Sequence, residues 1–190
     1  VKRLSLLSGL ACVLAAAPAV AQDDAAPAPA GSTAVSLEAG SGYVVGLWRQ
    51  TSPRVRAGIE LGTTLSRAQG DDNEEDFTSF VVRPGVKLFS AGEGAVRPFT
   101  LLGAYAEGYR RRSVAEGEFS SDQVFQATEV GARVGAGVEW MPVSRLAIGG
   151  HAGVRGGYLR ETTRSGSVDR ELDGWSAGTF TSGLSLTLFF

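Results

Sequence analysis

Apolar and polar residues alternate with a period of two over most of the chain beyond residue 34, the signature of strands with two unlike faces. The pattern is clearest at 128 to 140. There Val130, Ala132, Val134, Ala136, Val138 and Trp140 share one face, and Glu129, Gly131, Arg133, Gly135, Gly137 and Glu139 share the other. Segment 146 to 158 sets Leu146, Ile148, Ala152, Val154 and Tyr158 against Gly149, His151, Gly153, Arg155 and Gly157. In 55 to 65, Val55, Ala57, Ile59, Leu61 and Leu65 oppose Arg56, Gly58, Glu60, Gly62 and Thr64; in 80 to 88, Phe80, Val82, Val86 and Leu88 oppose Arg83, Gly85 and Lys87. The last segment places Leu184, Leu186, Leu188 and Phe190 opposite Gly183, Ser185 and Thr187. Over 96 to 110 both parities carry apolar groups: Phe99, Leu101, Tyr105 and Tyr109 share a face with Glu107, while Leu102, Ala104 and Ala106 hold the other. Its facing stays open. Residues 34 to 50 read as one strand or as two, and the turn signal Ala39-Gly40-Ser41-Gly42 favours two.

The connections alternate in length. Thr51-Ser52-Pro53, Ala91-Gly92-Glu93-Gly94 and Met141-Pro142-Val143-Ser144 are tight turns, whereas 68 to 76, 111 to 124 and 161 to 174 read as long polar loops. An even strand number brings both termini to the tidy end. The pattern therefore predicts eight strands, at 34 to 39, 43 to 50, 54 to 67, 77 to 89, 96 to 110, 125 to 140, 145 to 160 and 175 to 190. The expected fold is all-β, an eight-stranded antiparallel up-and-down transmembrane β-barrel.

Ahead of the barrel domain, 34 to 190, the chain changes character. Lys2 and Arg3 precede the apolar run Leu4 to Ala17 and the small-residue site Ala19-Val20-Ala21, the layout of a signal peptide at 1 to 21. The run is too short for a membrane-spanning helix. Cys12 lies inside it, which argues against acylation, and no second Cys exists to form a disulfide. Residues 22 to 33, with two Ala-Pro steps and no apolar period, are expected to be an Ala/Pro-rich linker.

Alternation alone does not say which face is outside; a soluble lipocalin-like barrel would turn the apolar face inward. The polar set decides for the membrane. It is rich in Gly, and Arg56, Arg83, Lys87, Arg133 and Arg155 nearly balance Glu38, Glu60, Glu129 and Glu139, as suits a narrow, filled interior. Tyr43 and Tyr158 toward the loops and Trp140 and Phe190 toward the turns suit interfacial girdles, while Trp48 falls on the inward parity. With these features, and with Val45-Gly46-Leu47-Trp48 before the Ser52-Pro53 turn, the chain resembles the small OmpA- and OmpX-like outer-membrane β-barrel domains of Gram-negative bacteria. The resemblance covers residues 34 to 190. Its most specific element is the C-terminal strand ending in Phe190, with Leu184, Leu186 and Leu188, which is similar to the signal such proteins present to the barrel-assembly machinery. It implies export to the cell outer membrane, contact with outer-membrane lipid and lipopolysaccharide and a monomeric state; a cell-wall tethering role is not implied.

Composition narrows the function. Among 190 residues there are 26 Gly, the net charge is -2, and Lys2 and Lys87 are the only lysines, so no basic stripe exists for nucleic acid. His151, the only histidine, has inward parity but is followed on its face by Gly153 and Arg155, not by the Ser that neighbours the His in outer-membrane lipid A deacylases; it reads as an interior histidine with no catalytic role. Asp71-Asp72-Asn73-Glu74-Glu75-Asp76 lacks the spacing of a calcium loop and reads as a solvated acidic loop, so no metal or cofactor is expected. Arg110, Arg111 and Arg112 at the outer rim are candidates for lipopolysaccharide phosphates. Glu60, Arg83, Glu129, Arg133, Glu139 and Arg155 are expected to form an interior charge network, with a narrow conducting path as the alternative. The expected role is structural or surface-interacting, without catalysis.

Overall fold

The computed structural model describes residues 29–39, 43–69, 73–91, 94–115, 121–166, 168–181 and 184–190. The signal segment 1 to 21 and most of the linker lie outside them. Nine strands follow one another: β1 Thr33–Ala39, β2 Tyr43–Ser52, β3 Val55–Gln69, β4 Asn73–Phe89, β5 Val96–Ala115, β6 Ser121–Val143, β7 Leu146–Ser165, β8 Val168–Thr181 and β9 Leu184–Phe189. From β1 to β8 each strand pairs antiparallel with the next, and β9 pairs with both β7 and β1, closing a ring of eight.

The last stave is two strands. In β8 the even residue Phe180 faces inward with Thr181 outward, whereas in β9 the odd residues Ser185, Thr187 and Phe189 are buried. The parity reversal marks an extra residue between Thr181 and Leu184, matched by a one-residue shift between the β7–β8 and β7–β9 registers. Leu184, Leu186, Leu188 and Phe190 consequently face outward on the strand that closes the ring. Followed around the circuit, the register advances by about ten residues, which for eight staves sets a strand tilt of about 40°.

The apolar face is on the outside. Leu37, Leu47, Leu61, Leu102, Val134, Val154 and Leu186 all project from the wall, and Trp140 and Phe190 edge the belt toward the short turns. Tyr158 and Trp175, in edge-to-face contact at 5.9 Å, edge it toward the long hairpins. Between Ile148 and Tyr158, β7 rises roughly 25 Å along the axis, the height of a membrane-facing band.

Strand lengths depart from the sequence expectation on one side. The segments 68 to 76, 111 to 124 and 161 to 174, read as polar loops, are mostly extensions of paired strands: β5 and β6 run in register up to Ala115 and Ser121, and β7 and β8 up to Ser165 and Val168. Beyond the apolar belt both faces of a hairpin carry polar residues, so the apolar alternation vanishes while the ladder continues. Gly166, in the left-handed region at φ 57, makes the tight β7–β8 turn. The end of the linker is also tied down, because Gly31 N donates to Gln50 O and Gln50 N to Ser32 O, extending the β1–β2 ladder.

Candidate functional site

Inside the ring, side chains pack in layers. Toward the short turns, Glu139 accepts hydrogen bonds from Arg56 at 2.8 and 2.9 Å and from Lys87 at 2.8 Å, with all three side chains at most 3% exposed. Aromatic rings pack these ions in. The Arg56 guanidinium lies between Phe89 and Phe189, 4.8 and 4.7 Å from the ring centres, and Lys87 Nζ sits 4.8 Å from both Trp48 and Phe99. Gln50 accepts from Arg56 Nε, and Arg97, over Phe89, donates to the Pro53 carbonyl, so this end is stoppered by paired polar groups and rings.

The Trp48 ring requires its socket. Its Nε1 donates to Ser36 Oγ at 3.0 Å, and a Cβ on Gly58 would come within 2.6 Å of the ring and 2.4 Å of the Leu47 carbonyl. Trp48 is thus part of the interior, and interfacial aromatics come from other positions.

Higher up, Arg133 donates to Glu60 at 2.8 Å, a buried pair. Above it, Glu107 is shared by Arg83 and Arg155, at 21% to 29% exposure, while Glu129 accepts from Tyr105 and Ser176. The six network candidates therefore fall into separate groups: Glu139 in the lower layer, Glu60 with Arg133 in the middle, and Arg83, Arg155 and Glu129 above. Arg56, Lys87, Glu107 and Tyr105 complete those groups. Among these, Glu107 and Tyr105 lie on the strand whose facing the sequence left open. Its odd face is inside: Arg97, Phe99, Leu101 and Tyr105 are all buried.

His151 lies among rings, 6.2 Å from Phe99 and 5.7 Å from Phe180, with Nδ1 4.0 Å from the Glu38 carboxylate. In the acidic segment, Glu74 and Asp76 turn toward Arg67, and Glu75 toward Arg111 at 2.8 Å. Among the described residues of this segment, Glu74 and Asp76 share Arg67 while Glu75 is drawn away to Arg111, so the three carboxylates do not converge on one point.

The three consecutive arginines do not act as one patch, because strand alternation separates them. Arg110 and Arg112 lie on the outer face and Arg111 on the inner parity. Arg111 is committed to Glu75 and Arg112 to Asp122; Arg110 makes no ion pair among the described residues.

Above the apolar belt, opposed charges lace the hairpins. Arg112 donates to Asp122 at 2.8 and 3.1 Å and Arg164 to Asp169 at 2.8 and 3.1 Å, and the neighbouring guanidinium holds each aspartate's pKa below its ordinary value. For a carboxyl with a depressed folded-state pKa, the contribution is present above the unfolded value of about 3.9 and lost as pH falls through the folded one. Hydrogen-exchange protection near 110 to 114 and 160 to 165 should therefore fall below about pH 3.9, relative to protection at 96 to 104. Equal protection ratios at pH 3 and pH 6 would show that these pairs do not hold the hairpins.

No protein-family model matches this chain, and no curated protein sequence matches it. Among solved structures it is similar to a major outer membrane protein from Thermus thermophilus, with a TM-score of 0.56 and 11% identity over 84% of this chain and 98% of that one. It is similar also to CarO of Acinetobacter baumannii (TM-score 0.46, 11% identity, 85% and 98% of the two chains) and to Ail, the attachment invasion locus protein of Yersinia pestis (0.43, 15%, 84% and 93%). At these identities the likeness concerns the fold, which is that of an outer-membrane-type β-barrel.

Proposed function

We propose that this chain is an integral outer-membrane barrel with a structural or surface-interaction role and no catalytic one. The observation that carries the reading is the pairing of an apolar outer belt, roughly 25 Å high, with an interior of ion pairs and rings. Such a belt exposes far more contiguous apolar surface than a water-soluble protein tolerates. Export by the segment 1 to 21, a monomeric state and recognition of Leu184, Leu186, Leu188 and Phe190 by assembly machinery belong to the same proposal. The outward leucines on the ring-closing strand support the last of these.

The surface role falls to the hairpins. Arg110, with Arg112 beside it on the outer face above the belt, is the group best placed for lipopolysaccharide phosphate; Arg111 supports that role less, being turned to Glu75. Against a conducting path stands the layer of Arg56, Lys87, Glu139, Trp48, Phe89 and Phe99, all at most 4% exposed. Planar-bilayer recording of the folded protein should stay silent. Regular conductance steps that change on neutralising Glu139 or Arg133 would establish the channel alternative.

A further inference from the structure

Aromatic rings on the outer face edge the apolar belt, and those low on the inner face fill the lumen. A third group does neither. Phe77 on β4, Tyr109 on β5 and Phe125 on β6 share the inner face above the Arg83–Glu107–Arg155 layer. Their rings follow one another across three strands, with centroids 6.3 and 5.5 Å apart and planes inclined by 33° and 29°. Tyr109 pairs with Ala127, and Ala127 with Glu161, three residues past Tyr158 at the belt's upper edge, so the strip lies beyond the belt. Nor is it core: on the same face of β5, Phe99 and Tyr105 are 3% exposed, whereas Tyr109 is 39% exposed.

Polar groups frame the strip. Arg111 stands between Phe77 and Phe125 on one rung, and Glu75 accepts from its Nε and Nη2 at 2.8 and 2.9 Å, a two-point pair that fixes the guanidinium plane and leaves Nη1 to donate elsewhere. A cleft of about 470 Å³ runs beside Tyr109 and Phe125 and is lined also by Arg111, Ser113, Gln123 and Thr163. Among the described residues, the inner face above the Arg83–Glu107–Arg155 layer carries two cations, Arg111 and Arg170, and two carboxylates, Glu75 and Glu161, so its charges cancel. Part-exposed rings beside hydroxyl, amide and forked guanidinium groups suit a ligand that is apolar on one face, rich in hydroxyls at its rim and uncharged.

We propose that this strip binds a neutral oligosaccharide, with pyranose rings laid on Tyr109 and Phe125 and their hydroxyls meeting Arg111, Gln123 and Thr163. Neither sign of charge is in excess there to hold a sulfated chain. The inference rests on the reading of the hairpins as the surface-interacting part and names the class of partner they take.

The test places the folded full barrel in phosphatidylcholine nanodiscs and uses saturation-transfer difference NMR, irradiating aromatic protons of the protein with cellotetraose, mannotetraose or lacto-N-tetraose present. At least one of the three should receive saturable transfer on its ring C–H protons, and a sulfated tetrasaccharide should not displace it. Apparent affinity should fall about tenfold in Tyr109→Leu, the loss of one ring partner, and should fall also in Gln123→Ala. Phe80→Leu, on the outer face, should leave it unchanged; each variant is verified as folded by its heat-dependent gel shift. No transfer to any of the three sugars, transfer unchanged in Tyr109→Leu, or displacement by the sulfated chain would overturn the site. In parallel, cells displaying the barrel are laid on wells coated with these sugars or with serum proteins. Attachment to protein alone would overturn the carbohydrate and leave the surface role, whereas attachment to neither would remove the surface role on which the site rests.

Discussion

Replacing Glu139 by Gln is expected to cost about 3–5 kcal/mol of folding stability, because it strands Arg56 and Lys87 in a buried, ring-packed layer. The carboxylate is 1% exposed and both cations address it at 2.8 Å. Its loss leaves two charges facing each other among Trp48, Phe89, Phe99 and Phe189 with no counter-ion. The effect should appear as a large fall in the urea midpoint of the barrel refolded in lipid vesicles. Glu75→Gln, which breaks a half-exposed pair with Arg111, should cost about 0–1 kcal/mol. If the two variants unfold at the same urea concentration, the lower ion cluster does not hold the barrel closed.

The second large effect belongs to a glycine. Gly58→Val is expected to destabilise by about 3 kcal/mol, at the upper end for overpacking, since its Cβ would meet the Leu47 carbonyl at 2.4 Å and the Trp48 ring at 2.6 Å. Neither neighbour can yield cheaply: one is backbone of the adjoining strand, and the other is a fully buried indole held by Ser36. Gly174 is the matched control. A Cβ there meets nothing within 4 Å, so Gly174→Ala should change stability by no more than about 0.5 kcal/mol. Equal midpoints for the two would mean that the Trp48 socket is looser than its distances indicate.

Glutamate and glycine positions also explain what the sequence could reveal. On β3, β4, β6 and β7 the inward face is charged or Gly and the outward face apolar, so facing followed from alternation. On β5 it did not, because Phe99, Leu101 and Tyr105 are interior fillers, packed where the glycines of neighbouring strands make room; a Cβ on Gly137 would lie 2.5 Å from Phe99. The readable signal was the parity shared by Arg97, Gly103 and Glu107, since charge and Gly mark the interior more reliably than hydrophobicity in a barrel this narrow.

The hairpins were hidden for a different reason. Residues such as Arg160, Arg164, Asp169 and Glu171 form strands through backbone pairing and cross-strand ions, and with water on both faces no apolar period betrays them. The candidate groups were legible as a balanced set of interior charges. Their partition was not, because which Arg meets which Glu depends on register around the ring: Glu139 finds Arg56 across the lumen and 83 residues away in sequence.

All of these expectations depend on the apolar face being outside. The most direct test is to express the full chain in a Gram-negative host, fractionate the envelope, and compare gel migration with and without boiling. Recovery in the outer membrane with a heat-dependent shift is the expected result, since a closed barrel with a buried ionic interior should resist SDS until heated. A protein that stays in the aqueous fraction without detergent and migrates identically before and after boiling would contradict it.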